Sequence, residues 1–103
     1  MAKKYNQEYL AHRIIAESAV MWGVGFKDVV GPSRDMDVVR ARHIAVYLMR
    51  KHVGLSFPVI GKILGGRHHT TAMHAYTKTA DEILSNSFIK ESVERVYRKA
   101  YAE

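Results

Sequence analysis

The side chains best suited to chemistry in this chain lie in Gly65-Gly66-Arg67-His68-His69-Thr70-Thr71. Arginine and histidine supply hydrogen-bond donors, histidine and threonine supply acceptors, and threonine adds a methyl group. These are the groups that engage base edges in a DNA groove. The two glycines ahead of them can turn the backbone through angles other residues avoid. A short apolar-striped segment opening at Ser56 precedes the pair and a longer one follows it. That is the layout of a helix-turn-helix, whose second helix offers its N-terminal residues to the major groove. Arg67, His68, His69, Thr70 and Thr71 are therefore the expected base-contacting residues.

Other chemistries are weaker fits. Adjacent histidines on a helix point roughly a third of a turn apart. His68 and His69 have no third ligand at a suitable spacing, so no metal is expected. A nuclease would need carboxylates beside the histidines, whereas Asp81 and Glu82 lie more than two helical turns along. Neither an enzyme nor a cofactor is expected.

Composition narrows the class further. One domain is the default for 103 residues, and 48% apolar residues can build a core. The chain has no cysteine, which fits a reducing compartment and excludes thiolate metal sites. No apolar run has membrane-spanning length, and the basic start Met1-Ala2-Lys3-Lys4 is not followed by a signal-peptide core. A cytoplasmic, nucleoid-associated protein is the expectation. Residues 33–71 hold seven arginines and lysines against Asp35 and Asp37, so they carry +5 of the formal net charge of +6. Such a surface suits a polyanion, with a merely solvated face as the plainer alternative.

The elements that must position these residues all read as helices. Residues 5–21 form the first, with Tyr9, Ile14, Ala16, Val20 and Met21 as apolar positions, within an amino-terminal unit at 1–25. Phe26 to Val30 can add a turn, and Gly31-Pro32-Ser33 marks a loop. Asp37 is expected to cap a helix running to about His52, with Ala41, Ile44, Ala45 and Leu48 inward and Arg42, Arg50 and Lys51 reaching solvent. Ser56 caps the next helix, with Pro58 in its first turn and Val59, Ile60, Ile63 and Leu64 buried. A longer helix runs from about His68 to Leu84 with Met73, Tyr76, Ala80, Ile83 and Leu84 inward. Ser85-Asn86-Ser87 breaks it, and a last helix spans 88–101 with Ile89, Val93, Val96 and Tyr97 packing inward. With no credible strand pair and no repeat, residues 1–103 read as one all-α bundle with a core at 37–84.

The region from Arg40 to Tyr76 resembles the signature of the C-terminal DNA-binding domain of DnaA, the bacterial chromosomal replication initiator. The matching blocks begin at Arg40-Ala41-Arg42-His43-Ile44-Ala45-Val46-Tyr47-Leu48-Met49-Arg50 and continue at Leu55-Ser56-Phe57-Pro58-Val59-Ile60-Gly61. They end with Gly65 to Ala75, and the similarity extends from about Ile14 to Val96. The resemblance implies an all-helical, Trp-repressor-like fold that reads a short double-stranded DNA site. It places Arg34 in a neighbouring minor groove, Arg67, His68, His69, Thr70 and Thr71 on bases, and Arg42, His43, Lys51, Pro58 and Lys62 on phosphates. Two features depart from the family. Histidine stands at position 68 where aspartate is usual, and Asp35 and Asp37 make the Arg34 loop less basic. A full initiator also carries a phosphate loop ending in Gly-Lys-Ser/Thr; no such sequence occurs here, so a free-standing DNA reader is expected.

Two functions follow as expectations. One is a sequence-specific regulator of transcription or replication initiation. The other is a DNA-tethered adaptor that recruits a protein through residues 5–22, where Tyr5, Tyr9 and Trp22 are otherwise packing residues.

Overall fold

The computed structural model describes residues 6–102. Six α-helices follow in order: α1 (Gln7–Trp22), α2 (Phe26–Val30), α3 (Met36–Leu48), α4 (Phe57–Ile63), α5 (His69–Ser85) and α6 (Ser87–Ala100). A π-helical turn, Met49–Val53, continues α3 before Gly54. Among the described residues there is no strand. Tyr5, at the expected start of the first helix, lies outside the described residues; Asn6 caps α1 by accepting from the Tyr9 amide at 2.7 Å.

Helix α3 is the centre of the bundle. It packs on α1, α2 and α5, while α6 closes over α1 and α5. Ala11, Ile14, Ile15 and Ala19 of α1 meet Ala41, Ile44, Ala45 and Leu48 of α3, with Ile89, Val93 and Val96 of α6 completing the core. The first-helix pattern is thus corrected: Tyr9 and Val20 face solvent, and Ala11, Ile15 and Ala19 take the inner face.

The inner face of α5 also differs from the sequence pattern. Ala72, Ala75 and Thr79 are the buried positions, Met73 is exposed, and Leu84 is 85% exposed. Helices that approach closely need small residues along the line of contact. Larger apolar side chains then flank that line, as half-buried Tyr76 does by stacking on Tyr47 with centroids 5.2 Å apart. Phe57 meets Tyr76 edge-on at 5.7 Å, tying α4 to the same cluster. Val59, expected inside, is exposed.

Three boundaries shift for clear reasons. Asp35, not Asp37, caps α3 by accepting from the Asp37 amide at 3.4 Å. Asn86 ends α5 and caps α6, its side chain accepting from the Ile89 amide at 3.2 Å. His68 is not the first residue of α5 but its N-cap.

Candidate nucleic-acid interface

Helices α4 and α5 form the helix-turn-helix, and the turn depends on three glycines. Gly65 and Gly66 adopt φ of +79° and +82°, which non-glycine residues rarely hold. Gly61 is buried within α4, and a Cβ there would collide with the Arg67 carbonyl oxygen. The absent side chain lets the turn fold onto α4, where the Gly61 carbonyl accepts from the Arg67 amide at 2.8 Å and the Gly66 amide at 3.1 Å. A glycine inside a helix is the sequence signal for such close approach, and it was missed.

The first turn of α5 then projects from the surface. His68, His69, Thr70 and Thr71 are all exposed. His68 caps the helix through its ring: Nδ1 accepts from the Thr70 amide at 3.2 Å and lies 2.9 Å from Thr70 Oγ1. Its ring sits against His69, with centroids 4.3 Å apart.

A groove of about 600 Å³ runs beside this turn, lined by Arg34, Arg42, His43, Arg67 and Thr71 among others. The structure therefore brings the Arg34 loop, the middle of α3 and the start of α5 to one concave face. Arg34 is exposed at its edge. Pro58 and Lys62 are exposed on α4. Lys51 is exposed on the π-helical turn, roughly 20 Å along the α3 axis from the Arg34 loop. It does not line the groove.

Arg42 corrects an expectation. It is 7% exposed rather than reaching solvent. Nε donates to the Val29 carbonyl at 2.8 Å, and Nη2 faces the carbonyls of Asp28, Gly31 and Ser33 at 3.0–3.1 Å. Apart from that of Asp28, which also accepts from the Gly31 amide at 3.2 Å, these carbonyls at the end of α2 and in the following loop lack helical partners, and a guanidinium is the side chain that can satisfy several at once. Arg42 is a clamp inside the protein that also lines the groove.

Arg67 is also turned inward. Nη1 donates to the Leu64 carbonyl at 2.6 Å and Nη2 to the Gly31 carbonyl at 2.6 Å. Gly31 thus accepts from two arginines, one on α3 and one on the helix-turn-helix turn. Burial, then the nearby Arg67 charge, draws the Arg42 pKa down, as expected of two converging guanidiniums. This pin fixes the Arg34 loop against the start of α5.

His43 is half-buried on the same face. Burial holds its pKa below the ordinary histidine value, Lys78 and Arg42 act in the same direction, and Glu82 opposes them. It meets the groove as a neutral imidazole near pH 7. Among the described residues, no three His, Cys, Asp or Glu side chains gather as a metal site would require. No helix among them is long and apolar enough to cross a membrane.

This arrangement can be set beside known proteins. The family described as the bacterial dnaA protein helix-turn-helix matches residues 11–79. The chromosomal replication initiator protein DnaA of Lactococcus lactis subsp. cremoris is 37% identical over 87 residues, covering 84% of this chain and 19% of that protein. Its counterpart in Picosynechococcus sp. is 39% identical over 83 residues, covering 81% and 18%. That of Bifidobacterium animalis subsp. lactis is 47% identical over 70 residues, covering 68% and 12%. The chain thus spans less than a fifth of the length of these relatives. The match encloses α3, α4, the glycine turn and the exposed start of α5, and on these grounds the chain belongs to the bacterial DnaA helix-turn-helix family.

Proposed function

We propose that this domain binds double-stranded DNA and reads its sequence, acting on transcription or on replication initiation, the process named for its relatives. The observation that carries the reading is the exposed N-terminus of α5, with His68, His69, Thr70 and Thr71 projecting from a helix-turn-helix. In such motifs the start of the second helix lies in the major groove. Arg34, at the rim of the same concave face, would enter the adjoining minor groove, where narrow A·T-rich DNA attracts arginine. Lys62 and Pro58, exposed on α4, and the half-buried His43, which lines the groove, would meet the backbone. Lys51 lies further off and serves only if the DNA extends or bends towards the end of α3.

The adaptor reading draws less support. Most of the apolar surface of α1 packs on α3 and α6, leaving Tyr9 and Val20 as its large exposed apolar side chains.

Titration of labelled duplexes at several salt concentrations tests the proposal. With about two to three phosphates neutralised, by Lys62, Arg34 and any DNA that reaches Lys51, the log–log salt slope should be roughly −2 to −3. A duplex selected from a random library should bind far more tightly than unselected DNA. A flat salt response, or equal affinity for both duplexes, contradicts the reading.

A further inference from the structure

We infer that capping α5 fixes His68 as the Nε2–H tautomer, so that it meets DNA as a hydrogen-bond donor while Thr70 beside it meets DNA as an acceptor. This rests on the DNA-reading role proposed above.

The reasoning starts at one atom. Nδ1 of His68 accepts from the Thr70 backbone amide at 3.2 Å. A backbone amide can only donate, and the helix fixes its direction. Nδ1 must therefore hold a lone pair and no proton. A neutral imidazole carries one ring proton, which leaves it on Nε2. The Nδ1–H form would set two N–H groups against each other and abandon the cap.

The same contact orients Thr70. Its Oγ1 lies 2.9 Å from the same Nδ1, so the hydroxyl proton turns towards the ring. The oxygen lone pairs and the methyl group then face away from the cap. The His69 ring packs beside His68 at 4.3 Å and limits its swing. The two nitrogens of an imidazole point in widely divergent directions, so an Nδ1 aimed at the helix amide aims Nε2 away from the helix. His68 is exposed there, at the end of the helix that faces the groove.

The outward pattern is thus donor at His68 and acceptor at Thr70. A donor in the major groove suits N7 or O6 of guanine, N7 of adenine or O4 of thymine, and is refused by the amino group of cytosine. Thr70 in turn selects an amino group on adenine or cytosine at a neighbouring pair. The residue that ends the turn thereby also sets the polarity of the first base reading. Two substitutions separate these roles. Asparagine can cap with Oδ1 and still offer its amide protons outward. Aspartate caps equally well but offers acceptors alone.

The test uses the whole chain. Two-bond ¹H–¹⁵N correlation spectra of the imidazoles, with H68N identifying the His68 signals by their loss, should show Nε2 protonated and Nδ1 bare in the DNA-free protein near neutral pH. Selection from a random duplex library should then give wild type and H68N the same exclusion of cytosine at one position. H68D should instead favour cytosine there, with a ten- to hundredfold change in discrimination. A His68 proton on Nδ1, or signals averaged between tautomers, overturns the inference at its root. A confirmed tautomer with one consensus shared by wild type, H68N and H68D overturns the base-reading half, placing Nε2 against phosphate or water. Failure of the wild-type chain to bind any duplex sinks the DNA role itself, while the spectrum still decides the tautomer.

Discussion

Two regions line the groove, one of histidines and threonines and one of arginines, and they do opposite things. At the start of α5, side chains with donors and acceptors are exposed and held at a helix end. On α3 and at the turn itself, Arg42 and Arg67 direct their guanidiniums into the protein, onto carbonyls at the end of α2, the following loop and the turn. Both regions are rich in groups that could face DNA. The difference is what surrounds them. A loop of Gly31, Pro32 and Ser33 has carbonyls that no helix satisfies, and an arginine nearby is drawn to them. A glycine turn leaves nothing beyond the first turn of α5 to pair with its side chains. Positive charge alone therefore does not mark the reading surface; the local supply of unpaired carbonyls decides which cations stay outside.

Substitutions can break this contrast. Arg42→Ala should give the largest change, because it takes the guanidinium from the Val29 and Ser33 carbonyls and removes a buried side chain. Thermal or urea denaturation should show a loss of about 2–4 kcal/mol. A loss below about 0.5 kcal/mol would mean that Arg42 is not a clamp. Arg67→Ala should cost less, about 1–2 kcal/mol, since it removes two charged hydrogen bonds at a half-buried site. It should also weaken binding to cognate and random duplexes alike, by loosening the Arg34 loop from the turn.

A smaller effect should follow from Lys62→Ala. Lys62 is exposed on α4, so folding stability should stay within about 0.5 kcal/mol. The salt slope of DNA binding should fall by about one, equally for cognate and random duplexes. A stability loss instead would move Lys62 into the structural group.

The smallest effect concerns pH. Burial keeps the His43 pKa below that of the unfolded chain, and His52 is lowered by burial and by Lys51. The unfolded chain thus takes up these protons first, so stability rises with pH across this range. The contribution is full above about pH 6.5 and is lost as pH falls through the lower folded values. Denaturation midpoints of wild type and His43→Gln at pH 7.5 and 5.5 should converge towards the acid end. A wild type more stable at pH 5.5 than at 7.5 would reverse the sign.

Much of this was legible in the residues. Ser56 caps α4 as its type and place suggest, its hydroxyl accepting from the Val59 amide at 3.3 Å, and Gly65-Gly66 turn as glycines can. Ile44, Leu48, Ile60, Ile89 and Val96 are buried where helical spacing put them. What escaped the pattern depends on partners distant in sequence. Arg42 points inward because of carbonyls 9–14 residues earlier, and no periodicity encodes that. Ala72, Ala75 and Thr79 face the core because the helices approach closely, while a pattern weighted by hydrophobic size favours Met73 and Leu84. His68 passed for a residue inside the helix because histidine is not among the usual caps.

The most direct test compares a reader with a holder. Thr71 is exposed at the groove, and Arg67, only four residues earlier, pins the turn to Gly31. Random-library binding selections should be run on wild type, Thr71→Ala and Arg67→Ala. The account predicts that Thr71→Ala loses preference at one or two base pairs, by about 1–3 kcal/mol, with little change in affinity for unselected DNA. Arg67→Ala should keep the wild-type consensus at reduced affinity. A consensus altered by Arg67→Ala and untouched by Thr71→Ala would contradict the division between reading and holding.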